Sequence, residues 1–400
     1  MYSLHLSAEQ LEFRDMIRDF VTQEVKPVAI KSERLEPLEQ PLMIGFLNQA
    51  SQMGLRTMAL SEDNGGIAAD ALTSCIVAEE LAVGDSDIAA VLGETSALSS
   101  ILFESMMTPV QRERFLQDFI SDDDYHLAFA DREADTDTRV GVAYHQKRTA
   151  GGTATKAVRG ADGWVINGIK AGVVNAPVAK LFIVAAQAEI DGKSGIHLFA
   201  VPADAAGVSV KAQPQAKRPH HGTAGEVTLK DCRVPADNLL KGGADLIDAA
   251  RSRMYELAIN LGIGRAAYET ALDYSGIRVQ GGKRIIEHQA TATRLADIAI
   301  SLDVTRNTVW RAAYASDHPD AVADRSLPDM PLAAMARVYV STAMYRAAKD
   351  AAELFGAMGV MRDMPLQKYI HDAFICLRTG DGNADTKLRI AEILAGFRAA

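Results

Sequence analysis

Cysteine is scarce: Cys75, Cys232 and Cys376 are the three in 400 residues, far apart and without metal-ligand spacing. That pattern excludes a disulfide framework and a thiolate metal centre, and predicts buried free thiols in a reducing compartment. Long apolar runs are missing, and none approaches the ~20 residues needed to cross a bilayer, so no membrane span is expected. Positive charge is in deficit, with 42 Lys and Arg against 52 Asp and Glu and a net charge of -10. The basic residues are scattered, which argues against a nucleic-acid surface but leaves room for a local patch that receives an anionic ligand. No Gly-x-Gly-x-x-Gly turn joins a strand to a helix, so a Rossmann site is not supported. Nor is there a signal-peptide pattern: Met1-Tyr2-Ser3-Leu4-His5-Leu6-Ser7 runs straight into an amphipathic helix, and a cytoplasmic location is expected. Internal repeats and low-complexity segments are also absent.

What is present is enough apolar material, 48% of residues, to bury a large core in two or three domains or layers. Residues 7 to 120 read as helices. Ser7-Ala8-Glu9-Gln10 forms a capping box, in which hydroxyl and amide satisfy orphan backbone groups at a helix start. Leu11, Phe13, Ile17, Phe20 and Val21 then recur on one face. Asn64-Gly65-Gly66 breaks the pattern where positive φ is tolerated, and 72–83 resumes it. Between about 125 and 240, short β-rich runs at 163–168, 181–184, 196–201, 208–210 and 226–229 alternate with Gly, Asn, Asp and Pro, as in a small antiparallel domain. Residues 245 to 400 return to helical periodicity, interrupted near Gly281-Gly282, Asp317 to Pro331 and Gly380-Asp381-Gly382. The class is α+β, mainly α, without βαβ alternation. The expected domains are a helical 1–122, a β-domain 123–242 and a helical 243–400 of four-helix-bundle type.

Four stretches carry a family likeness. The first is Arg14-Asp15, Phe20, Glu24-Val25, Pro27 and Ala29, with Gly54-Leu55, 61–66 and Glu79-Glu80. The second, 225–240, contains Asp231-Cys232 and Val234-Pro235. The third is Leu261-Gly262-Ile263-Gly264-Arg265-Ala266 with Arg278 to Lys283 and Ile286-Glu287-His288-Gln289. The last runs from Phe355-Gly356-Ala357-Met358-Gly359 through Pro365 and His371-Asp372-Ala373 to Gly380-Asp381-Gly382-Asn383. In this order and spacing the chain resembles the acyl-CoA dehydrogenases over nearly its whole length. The resemblance implies FAD between the β-domain and the C-terminal helices, and a homotetramer or homodimer whose neighbouring subunit meets the adenine end. It also implies an acyl-CoA substrate, with electron-transfer flavoprotein or another acceptor downstream. In the family reaction a carboxylate takes the α-proton of the thioester and the flavin accepts the β-hydride; desolvation helps match the base to so weak an acid.

Carried over residue by residue, the likeness places Arg278 at the FAD pyrophosphate, where a guanidinium fork suits phosphate oxygens; the plain alternative is a solvated arginine. Gly356 and Gly359 match the turn under the diphosphate and adenine side, and the bland reading of an interhelical turn is compatible with that. Glu353 stands where the family has Gln, so its carboxylate must be protonated, paired or turned away. Thr136 keeps a flavin-loop hydroxyl. The flavin-packing Trp is Gly172 and the Thr beside the ring is Val174, which removes a polar contact and opens space. The aromatic of the Arg-x-x-Phe-Gly pattern is Gly281. About a dozen extra residues lie between Asp137 and Asn167; they read as an exposed loop or a contact to CoA phosphates.

The family's base falls on Gly380. A one-residue insertion makes Asp381 the base and places Asn383 among the cofactor contacts; the alternative is that Asp381 or Asn383 caps the last helix. Some relatives hold the base on an earlier helix, at the position of Ser252, followed here by a matching Arg253 that the resemblance places near substrate. Glu256, one turn later, could be reoriented to serve, but a surface or buried ion-pair role is the preferred reading. His220-His221 reads as a loop pair, since no partner for a metal has suitable spacing. Beside the dehydrogenase reading stand a catalytically degenerate partner subunit of a heteromeric complex with a paralogue, and a flavin-dependent monooxygenase or desulfinase.

Overall fold

The computed structural model describes residues 5–35, 41–134, 154–214, 220–243, 246, 247, 249, 253–318, 331–378 and 382–397. The N-terminal helices are α1 (Ala8–Phe20), which continues through a π-helical turn at Val21–Val25 into α2 (Lys26–Ala29), then α3 (Ile44–Gln52), α4 (Ala71–Gly84), α5 (Ser86–Ser99) and α6 (Pro109–Ser121). Capping boxes fix two of the starts: Ser7 with Gln10 for α1, and Thr108 with Gln111 for α6. On α1 the inward face is Ile17 and Phe20, with Val21 following, whereas Leu11 points outward at 37% exposure. The buried stripe starts later than expected, and the first turn of α1 meets α4 through a polar contact instead, Gln10 Nε2 donating to Thr73 Oγ1 at 3.1 Å.

Seven strands follow: β1 (His126–Ala130), β2 (Lys156–Arg159), β3 (Trp164–Val174), β4 (Ala179–Ile190), β5 (Lys193–Pro202), β6 (Val208–Ala212) and β7 (Ala224–Val234). The sheet is mixed, which corrects the expectation of a purely antiparallel one. β5 runs antiparallel along one edge of β4, while β1 and then β2 pair parallel with β4 on the other; β3, β7 and β6 continue antiparallel. The first strand after α6, β1, is the one that pairs with β4 in parallel over Leu127–Ala130 against Leu181–Val184. Alternation sorts the two faces. Leu127, Phe129, Leu181 and Ile183 pack under α5 and α6, while Ala128, Phe182 and Val184 join Trp164 and Phe199 on the far side.

The C-terminal helices are α7 (Met254–Ile277), α8 (Gln289–Asp317), α9 (Leu332–Leu354), α10 (Leu366–Cys376) and α11 (Gly382–Leu394), with a two-strand hairpin, Val279–Gln280 against Lys283–Arg284, after α7. Of these, α7 to α10 share one core with α1, α4 and α5. Close packing there relies on small residues: a Cβ on Gly262 would lie 2.5 Å from the Glu79 carbonyl, and one on Gly264 2.4 Å from the Met344 sulfur. α4 is buried from Cys75 to Gly84, so its charges Glu79 and Glu80 must be paired. Arg265 reaches both, Arg306 binds Glu79 at 2.6 Å, and Arg18 binds Glu80 at 2.7 Å. Among the described residues, no helix is long and apolar enough to cross a membrane.

Candidate functional site

Two cavities meet at one side chain. The larger, about 300 Å³, lies between α4, α5, the start of α7 and the end of α8; Met58, Ala78, Leu92, Ala97 and Tyr255 line it, with Asp317 at the rim. Its walls are apolar with isolated serines, as suits a ligand of hydrocarbon character. Asp317 accepts a hydrogen bond from the Ala71 backbone N–H at 2.8 Å, at the first turn of α4. The smaller cavity, about 20 Å³, has room for roughly one water. Its wall includes Val174 at the end of β3, His220 and His221 before β7, Glu256 and Asn260 on α7, and Cys376 on α10. Tyr255 borders both cavities. Gly93 lets that ring lie directly against α5, since a Cβ there would sit 2.5 Å from it.

Tyr255 is held by charge. Its hydroxyl donates to Glu94 Oε2 at 2.6 Å, and Arg253 forks onto the same carboxylate at 2.8 and 3.0 Å. Burial and the neighbouring Glu94 hold the Tyr255 hydroxyl far above its ordinary pKa. Burial alone would lower Arg253, but Glu94 outweighs it and keeps the guanidinium charged. Arg253, expected near substrate, is therefore committed to Glu94. Glu256 faces the smaller cavity while accepting from Arg337 Nη1 at 2.8 Å through Oε2; its Oε1 is 3.9 Å from Arg253. His221 Nε2 lies 3.1 Å from the Asp372 carbonyl and 3.3 Å from Cys376 Sγ. Burial pushes His220 down to about 3, with Arg253 and Arg132 adding to the effect, so the ring is neutral. Two atoms bordering this cavity, His220 Nδ1 and Asn260 Oδ1, are buried and have no hydrogen-bond partner among the described residues.

The remaining expected residues sort as follows. Gly172 lies in a β-bulge between Lys170 and Val173, in the left-handed region at φ +61°, with open space where a Cβ would point. Arg278 is exposed, directly after α7. The Phe355–Tyr274 stack, 4.0 Å between ring centres, draws the 356–360 turn to that end of α7. Gly356 is left-handed at φ +56° and open, whereas Gly359 is buried, and a Cβ there would meet the Ala352 carbonyl at 2.3 Å. Glu353 is paired with Arg294 at 2.5 Å, so its charge is balanced. Asn383 exchanges hydrogen bonds with Ser341 on α9 at 2.9–3.1 Å. Thr136, Ser252, Gly380 and Asp381 lie outside the described residues. Glu94, Tyr255 and Asn260 were not anticipated. A lone Glu in the apolar run Val91-Leu92-Gly93-Glu94-Thr95-Ser96-Ala97-Leu98 was the available signal, because a charge on a helix buried all round demands a partner.

The helical-sheet-helical order and the paired cavities at the domain junction describe a class of enzyme fold, and comparison with known proteins identifies it. Family models for the acyl-CoA dehydrogenase N-terminal, middle and C-terminal domains match residues 7–123, 146–232 and 248–393. The chain belongs to the acyl-CoA dehydrogenase family. An acyl-CoA dehydrogenase of Bacillus subtilis is 27% identical over 98% of this chain and 100% of its own length. The short-chain specific mitochondrial acyl-CoA dehydrogenase of Homo sapiens is 27% identical over 94% of this chain and 88% of its own. Butyryl-CoA dehydrogenase from Megasphaera elsdenii superposes with a TM-score of 0.81 at 25% identity, covering 98% of this chain and 100% of that one.

Proposed function

We propose that this protein is a FAD-dependent dehydrogenase of an acyl-CoA thioester. The observation that carries the reading is the apolar cavity of about 300 Å³, with a buried polar recess lined by Val174 on the other side of Tyr255. A hydrocarbon chain fits the first, and the second sets polar side chains beside it. The residues present are compatible with the cofactor. Gly172 leaves room in the bulge before Val174, and Gly356 offers backbone without a Cβ in the way. Arg278 supplies an exposed cation at the same end of α7, and Glu353 is neutralised by Arg294. When bound, FAD supplies the hydride acceptor for the thioester β-carbon.

The chain's own part is to hold the acyl group between α4 and α5, to keep water out and to take the α-proton. The buried, apolar walls accomplish the first two, and a dry site strengthens every polar contact made inside it. Electrons then pass to electron-transfer flavoprotein or another acceptor. Assembly as a homotetramer or homodimer, or with a paralogue, is supported by exposed apolar side chains at Ile277, Val279, Val360 and Met361 around the proposed FAD end. The test is the visible spectrum of the purified protein with added FAD, followed by anaerobic titration with acyl-CoAs of graded length. Bound flavin that bleaches with one of them supports the reading, and protein that binds neither FAD nor any CoA ester overturns it.

A further inference from the structure

We infer that Glu256 is the carboxylate that removes the α-proton of the acyl thioester. The assignment rests on the dehydrogenase reading above and names a residue for its first step. Among the described residues Glu256 is the acid bordering the recess that contains Val174, and it lies on the first turn of α7. Arg337 occupies Oε2 at 2.8 Å, and the contact of Oε1 with Arg253 is long at 3.9 Å, so Oε1 keeps lone pairs for a proton. The recess is polar: His220 and Asn260 line it, each residue only 4% exposed, and His220 Nδ1 and Asn260 Oδ1 are buried without a partner among the described residues.

The other titratable neighbours are poorer acceptors. The Tyr255 hydroxyl is spent on Glu94 and keeps its proton. Burial pushes the Cys376 thiol far up, so no thiolate forms there. His221 is engaged by the Asp372 carbonyl and Cys376. Burial makes His220 reluctant to accept charge, and Glu94 is closed off by two donors. In the step itself the α-C–H bond breaks and its proton bonds to Glu256 Oε1, giving a carboxylic acid. The electron pair stays with the substrate as an enolate delocalised onto the thioester oxygen. No oxidant is consumed, so the step is measurable as exchange with solvent.

The test uses FAD-loaded full-length protein in D2O with octanoyl-CoA and its 3-thia analogue, which has no β-carbon able to lose hydride. Deuterium at the α-carbon is read by mass spectrometry, and ligand affinity by calorimetry. The wild type is expected to exchange the α-proton of the analogue. Glu256→Gln should bind flavin and ligand as before and exchange roughly 10²–10⁴-fold more slowly, with Glu256→Asp intermediate. Should Glu256→Gln unfold by stranding Arg337, the pair Glu256→Gln with Arg337→Met removes both charges and must show the same loss. Wild-type exchange rates in the Gln variants overturn the assignment, as does loss of exchange in Asp381→Asn with Glu256→Gln unaffected. A wild type that binds the thioester without exchange overturns it too. A wild type that binds no CoA ester overturns the dehydrogenase reading itself, and that is seen before any variant is compared.

Discussion

Glu94 shows how a single charge organises this site. Its carboxylate is buried, and both partners, Arg253 and Tyr255, come from the start of α7. Breaking such a pair strands the other ion, whereas removing both ions is tolerated. Arg253→Met is therefore expected to cost about 3–5 kcal/mol in urea unfolding, and the double change Glu94→Leu with Arg253→Met should recover much of it. A recovery below one-tenth of the loss contradicts the pairing argument. His126 gives the pH counterpart. Burial pushes it down to about 4, with Arg56 and Lys180 adding to the effect, while Thr95 meets its Nδ1 at 3.2 Å. The unfolded chain takes up a proton near 6.5 and the native chain resists, so stability is full above that value and falls as pH drops towards about 4. His126→Phe should flatten the slope of stability against pH in this window, as measured by urea midpoints.

At the scale of elements, α4 is the axis, tied to α1, α7 and α8 by charges and by the close approach of backbones. Burial would raise the Glu80 carboxyl, but hydrogen bonds from Arg265 and Arg18 outweigh it and hold it below the ordinary range. The stability it contributes is present above the unfolded pKa of about 4.3 and is lost as pH falls further, so Glu80→Gln should lower stability at neutral pH and shrink the loss on acidification below 4. Gly262 belongs to the same crossing. Gly262→Ala drives a methyl against the Glu79 carbonyl and is expected to destabilise by about 1–3 kcal/mol; a thermal midpoint equal to the wild type would refute the close-packing reading. Both features were half legible beforehand. The Ser7–Gln10 capping box announces a helix start locally, and the pattern Leu261-Gly262-Ile263-Gly264-Arg265-Ala266 marks the opening of the C-terminal bundle. β1 and β2 do not, because His126–Ala130 is buried on both faces and Lys156–Arg159 is a four-residue segment with one buried side chain. Neither has the alternation that marks a strand.

On the scale of the whole molecule, layer order and family were readable because each depends on motifs strung along the chain. The cavity was not, since its walls come from residues as far apart as Met58 and Asp317 and only packing brings them together. The same holds for Glu256: its sequence neighbours suggested an ion pair, which exists, but only the fold turns it towards Val174. A cavity assembled this way should set acyl selectivity by volume. Its 300 Å³ is about twice the engineered cavity that takes up benzene, so a preference for medium-length or aromatic acyl groups is the expected outcome of a chain-length series. Ala97, on the α5 wall, is a suitable place to remove that space without touching Glu94, Tyr255 or Glu256. Ala97→Phe should leave flavin binding intact and lower kcat/KM for octanoyl-CoA by about 10²-fold, while butyryl-CoA changes by less than about threefold, in line with pocket discrimination of 1–3 kcal/mol per excluded group. Equal losses for the two esters would place the acyl chain somewhere other than between α4 and α5.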